Sequence, residues 1–120
     1  MDRINFWKHR DKVIVFFDFS GCNESEFFKV LEDARNVVRT LKKDTLLTLV
    51  DVTNTESNDR TNKAIKSFAE ENKPYVKAGA VVGVWGIKKL VFQMVMKFTG
   101  RKNLKLFNTV HEAKEWLAQQ

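Results

Sequence analysis

Three features of the sequence predict an α/β domain, a single mixed and mostly parallel β-sheet covered by about four helices. Short β-branched and aromatic runs recur along the chain, at residues 13–19 (VIVFFDF), 45–52 (TLLTLVDV) and 80–85 (AVVGVW). They read as strands buried on both faces. Between them lie segments whose apolar residues recur every three or four positions, each opened by residues of capping type. Strands that alternate with helices demand right-handed crossovers, and so a parallel sheet. The whole chain of 120 residues fits one domain with no linker, repeat or low-complexity tract.

The elements follow in order. Ile4 to Lys8, before the polar turn Arg10-Asp11-Lys12, is expected to pair antiparallel with the strand at 13–19. Asn23 and Glu26 then form a capping box, opening a helix with Phe27, Leu31, Ala34, Val38 and Leu41 in one stripe. Its acids lie early and its bases late, which complements the helix dipole. After the strand at 45–52, the polar loop TNTESND precedes a helix over 60–72 with Ile65, Phe68 and Ala69 inward. Pro74 ends that helix, because proline cannot continue the hydrogen-bond ladder. The strand at 80–85 leads to a helix over 87–99 closed by Gly100. A last strand at 104–107 and a helix opened by Thr109 and Glu112, with Ala113, Trp116 and Leu117 inward, complete the chain.

Composition excludes several classes. A domain of this size buries about two-thirds of its unfolded surface. One Cys cannot form an internal disulfide, and Cys22 with His9 and His111 is too small a set for a Cys/His metal site. The apolar stretch at 78–99 is broken by Lys88, Lys89, Gln93 and Lys97, so no transmembrane segment is expected. VIVFF is stopped by Asp18 and makes no signal-peptide core, so a cytoplasmic location is expected. The net charge of +6 is uneven: residues 85–120 carry seven basic and two acidic side chains, and none of the acids lies between Gly86 and Lys105. That bias would attract phosphates, an acidic partner or an anionic surface; the plainer reading is a solvated face.

Chemistry-bearing groups are few. Asp18 and Asp51 close two parallel strands, at the edge where α/β sheets hold ligands. Two strand-end aspartates bonded to their own loop amides are commoner there than an acid–base or metal pair. Gly79, Gly83 and Gly86 precede the third helix but match neither dinucleotide nor P-loop spacing. Neither a cofactor nor a nucleic-acid partner is expected. Cys22 has no resolving cysteine and no neighbouring base in the pattern of a nucleophile, so no enzyme site is expected.

The helix at 87–99 is apolar on two sides. Ile87, Leu90, Val91, Met94 and Phe98 read as the inward stripe, leaving Phe92, Val95 and Met96 on the other side near Trp85, Lys88 and Lys89. These last six form a candidate interface or ligand patch, suited to a homodimer contact, a partner or a lipid. Cover by the last strand and helix would instead make it interior.

The strand-helix order, the segments TLLTLVDVTN, NKPYVKAGAVVGVWG and KFTGRKNLKLF, and the ending HEAKEWL resemble the SpoIIAA-like (STAS-related) family over about residues 12–117. That family is similar in turn to STAS anti-sigma-factor antagonists and to the CRAL-TRIO lipid-transfer fold. The resemblance implies a mixed sheet with helices around it and no catalysis. STAS antagonists carry a phosphorylatable serine in a D-S-S-G-L-G-like turn. The matching stretch here, residues 54–60, has neither the Ser-Ser pair nor Gly-Leu-Gly. Ser57 is the nearest hydroxyl, with Thr53, Thr55 and Thr61 beside it. The loop residues Thr53, Asn54, Thr55, Ser57, Asn58 and Asp59 are therefore a candidate switch or partner site, expected to be exposed, with Ser57, Asn58 or Asp59 as the helix cap. The expected function is a non-catalytic regulatory or protein-interaction module; the alternative is a small carrier of a lipid or other apolar ligand.

Overall fold

The computed structural model describes residues 3–100 and 102–120, with positions 87, 88, 91, 95, 98 and 99 described by backbone alone. The elements run β1 (Ile4–His9), β2 (Lys12–Asp18), α1 (Glu24–Arg39), β3 (Leu46–Asp51), α2 (Asp59–Asn72), β4 (Val76–Val82), α3 (Ile87–Thr99), β5 (Leu104–Phe107) and α4 (Val110–Ala118). The five strands lie in sequence order, β1 antiparallel to β2 and the rest parallel. Because the strands advance in one direction, crossovers of one hand put α1, α2 and α3 on the same face. Only α4, which follows the last strand, is free to cover the other face.

Two apolar layers result. Ile14, Phe16, Leu47, Leu49, Ala78, Ala80 and Val82 meet Ala113 and Leu117 of α4. The opposite side chains of β2, Val15 and Phe17, pack with Phe19, Phe27, Leu31, Ala34 and Phe68 under α1 and α2. Phe17 meets Phe68 edge-on at 6.0 Å, and Phe19 meets Phe27 at 5.2 Å. Arg35 of α1 also reaches Glu71 of α2, Nε to Oε2 at 3.0 Å.

Helix starts agree with capping chemistry. The Asn23 side chain accepts from the Glu26 amide while Glu26 accepts from the Asn23 amide, the expected reciprocal box. Asn58 is the cap of α2, and Thr61 completes its box. Thr109 caps α4, accepting from the Glu112 amide at 3.1 Å. β4 corrects the sequence reading: it spans Val76–Val82 rather than 80–85. Lys77 is the extra residue where Leu46 faces Val76 but Leu47 faces Ala78. This bulge hides the alternation that would have marked an early start. The strand stops at Gly83, whose φ of +89° leaves the extended region.

Candidate functional site

Parallel β2, β3 and β4 deliver three loops to one edge of the sheet, and hydrogen bonds join them. Gly21 donates to the Thr53 carbonyl at 2.8 Å, and the Glu56 amide donates to the Cys22 carbonyl at 2.9 Å. The Thr55 hydroxyl donates to the Phe19 carbonyl at 2.7 Å. Thr55 is therefore buried, which corrects the expectation that the whole loop is exposed. Its β-branched side chain serves as a rivet between loops, whereas Asn54, Glu56, Ser57 and Asp59 remain exposed. Asn54 has a left-handed φ of +55°, a conformation asparagine tolerates.

A second set of contacts ties the start of α1 to the start of α2. Glu24 Oε1 accepts from Asn58 Nδ2 at 2.8 Å and from Arg60 Nε at 2.9 Å. The Glu24 amide donates to Glu56 Oε2 at 2.8 Å. Hydrogen bonds first from Arg60 and then from Asn58 hold the Glu24 carboxyl below its ordinary range. A carboxylate depressed in the folded state stabilises it above the ordinary carboxylate pKa, and that gain is lost as pH falls through the folded value. Unfolding free energy is thus expected to fall on acidification below the ordinary carboxylate range, and less steeply in Arg60→Gln. Urea titrations at a series of pH values test this; parallel slopes for the two proteins would refute the linkage.

Asp18 and Asp51 behave as local acceptors. Asp18 Oδ1 takes the Ser20 amide at 2.9 Å and the Ser20 hydroxyl. Asp51 Oδ1 takes the Thr53 amide at 2.9 Å and its hydroxyl at 2.6 Å. Both are turn-forming interactions. Among the described residues no three His, Cys, Asp or Glu side chains group to hold a metal. Cys22 is buried, and burial chiefly pushes its thiol up, with a smaller opposing pull from Arg3. That is the opposite of an activated nucleophile.

The loop after β4 completes the edge. A Cβ on Gly83 would lie 2.5 Å from the Thr53 amide nitrogen, so this loop touches the one after β3 backbone to backbone. Trp85, 55% exposed, stands on it at the mouth of α3. Here the described side chains of α3 depart from the expected faces. Leu90 and Met94 are 60% and 69% exposed, whereas Phe92 and Met96 are half-buried. Lys89, Gln93 and Lys97, spaced four apart, form its exposed polar stripe, and the apolar residues flanking that stripe on both sides let either flank turn inward. Its packing on α2, beyond the centre of the sheet, selects the Phe92 side. Lys88 and Val95, and Ile87, Val91 and Phe98 of the stripe expected to face inward, have side chains outside the described residues. The exposed patch is thus Trp85, Lys89, Leu90 and Met94, not Phe92 and Met96.

Beneath α2 and α3 is an apolar cavity of about 140 Å³ that runs to the loop residues Thr55, Glu56 and Ser57. It exists because the sheet offers small residues there. Toward α1 the inward residues are Phe17 and Phe19; toward β5 they are Thr48, Val50, Gly79, Val81 and Leu104, with Gly79 offering no side chain at all. The two candidate regions of the sequence, the 53–59 loop and α3, are therefore neighbours around one edge and one cavity. The cavity itself left no sequence signal, because small strand residues also occur in dry cores.

No protein-family model matches the chain, and no curated protein matches it. Solved structures do. An uncharacterised protein of the DUF3478 family from Shewanella loihica PV-4, described as having a SpoIIAA-like fold, superimposes with a TM-score of 0.72 at 16% identity. The match covers 95% of this chain and 91% of that one. An anti-sigma-factor antagonist (STAS) domain protein from Planctomyces limnophilus superimposes with a TM-score of 0.62 at 13% identity, covering 96% and 97%. The fold is that of SpoIIAA-like and STAS proteins. These structures do not show the further resemblance to the CRAL-TRIO fold.

Proposed function

We propose, from a SpoIIAA-like fold with three interlocked loops at one sheet edge, that this protein is a non-catalytic recognition module that binds a protein partner at that edge. The observation that carries the reading is Trp85. A large aromatic side chain more than half exposed, beside exposed Leu90 and Met94, is costly in isolation and typical of an interface anchor. Loop ordering supports it as well, because a preorganised surface loses little entropy on binding. The basic stretch from Gly86 to Lys105 favours a partner with apolar side chains flanked by acids. The engaged states of Asp18, Asp51 and Cys22 support a role without catalysis. The Planctomyces protein is described as an anti-sigma-factor antagonist; by analogy of fold, the partner here would be a regulatory protein.

Ser57 would be the switch in such a module. Its hydroxyl donates to Asn62 Oδ1 at 3.0 Å in the first turns of α2, and its side chain is exposed. A phosphate there would gain from the helix dipole and repel an acidic partner. In its native cells the wild-type protein is expected to co-purify with a stoichiometric partner, in native mass spectrometry. Trp85→Ala should lose that partner while retaining its fold, and Phe6→Ala, exposed on β1, should keep it. Equal recovery in all three proteins, or a second copy of this chain as the only partner, would overturn the reading.

A further inference from the structure

We propose that the cavity under α2 and α3 is a binding site for a small, neutral, apolar molecule the size of one aromatic ring or a short branched hydrocarbon. The inference goes beyond partner recognition, because it uses the apolar space behind the edge loops and not their outer surface. Size sets the upper limit. An apolar protein cavity of about 150 Å³ stays dry and takes up benzene, and this one measures about 140 Å³. A long acyl chain does not fit.

Chemistry sets the rest. The walls are Val50, Ile65, Phe68, Val81, Phe92 and Leu104. Thr48, Thr55, Thr61 and Asn72 are the buried polar residues among those lining it; the Thr55 and Thr61 hydroxyls donate to the Phe19 and Asn58 carbonyls, which leaves Thr48 and Asn72 to orient a ring substituent. No Lys or Arg lines the cavity among the described residues, and the acid at its mouth is Glu56. A carboxylate or phosphate inside would be desolvated without a counter-ion. Water would find few partners there, and an empty void forfeits the dispersion contacts a ligand restores. Entry is provided for by α3. It leaves the sheet through Gly83 and Gly86 and ends at Gly100, all with positive φ. It packs on α2, so it can part from α2 without breaking strand pairing.

The test uses benzene as the probe and sodium myristate as the long-chain control, read by methyl NMR and thermal unfolding. Benzene is expected to raise Tm by several degrees and to shift the methyl signals of Val50, Val81 and Leu104 selectively. Myristate is expected to do neither. Val81→Phe fills the cavity and should abolish the benzene response; Ala69→Leu serves the same purpose if the first variant does not fold. Trp85→Ala lies outside the cavity and should retain the response, so loss of a partner and loss of this site are read separately. The proposal is overturned if benzene leaves those methyls unmoved, if its shifts spread over the surface, if a folded, filled variant still responds, or if myristate shifts the same methyls.

Discussion

Gly83→Ala is expected to cost about 3 kcal/mol or more of stability, among the largest effects of any single-methyl change in this chain. Two penalties combine. The residue sits at φ +89°, where L side chains are strained, and its new Cβ would lie 2.5 Å from the Thr53 nitrogen and 2.7 Å from the Thr53 Cα. Backbone atoms cannot rotate away, so the loops after β3 and β4 would have to separate. Gly100→Ala isolates the first penalty. Gly100 has φ +66° in the left-handed region with nothing within 4 Å of a built Cβ, and its replacement should cost about 1 kcal/mol. Urea unfolding of the two variants beside the wild type decides the matter. Equal losses would show that the loops are not in contact, and the continuous edge proposed for recognition would lose its basis.

Phe92→Glu is expected to destabilise by about 2–4 kcal/mol, while Leu90→Glu should stay within about 0.5 kcal/mol of wild type. The two positions lie on one helix two residues apart, so propensity hardly separates them. What separates them is that Phe92 lines the cavity and Leu90 is 60% exposed. A carboxylate at 92 would face Val50 and Val81 with no Lys or Arg among the described residues of the cavity wall, whereas at 90 it faces water beside Lys89. Thermal and urea unfolding measure both. The reverse order would restore the Leu90–Met94 stripe as the inner face and return Phe92 and Met96 to the surface. If two copies of the chain associate through α3, Leu90→Glu with Met94→Lys is the variant that should separate them in sedimentation.

The sequence alone determined the order of nine elements, the crossover topology and the starts of α1, α3 and α4, and narrowed the cap of α2 to three residues, because these rest on short-range physics. The Asn23–Glu26 box and the exact limits of α3 and β5 need only local periods and caps. α3 drew attention because it breaks an ordinary surface pattern, and the 53–59 loop because it matches the serine turn that the resemblance to STAS antagonists implies. Tertiary structure decided three things. It chose the face of α3, because apolar residues flank the Lys89, Gln93 and Lys97 stripe on both sides and only α2 decides which flank turns inward. It buried Thr55, because the Phe19 carbonyl that the hydroxyl meets lies 36 residues away. It opened the cavity, because Thr48, Val50, Gly79 and Leu104 become neighbours only when β3, β4 and β5 pair. Each of these depends on contacts distant in sequence, and a periodic pattern along one segment carries no information about them.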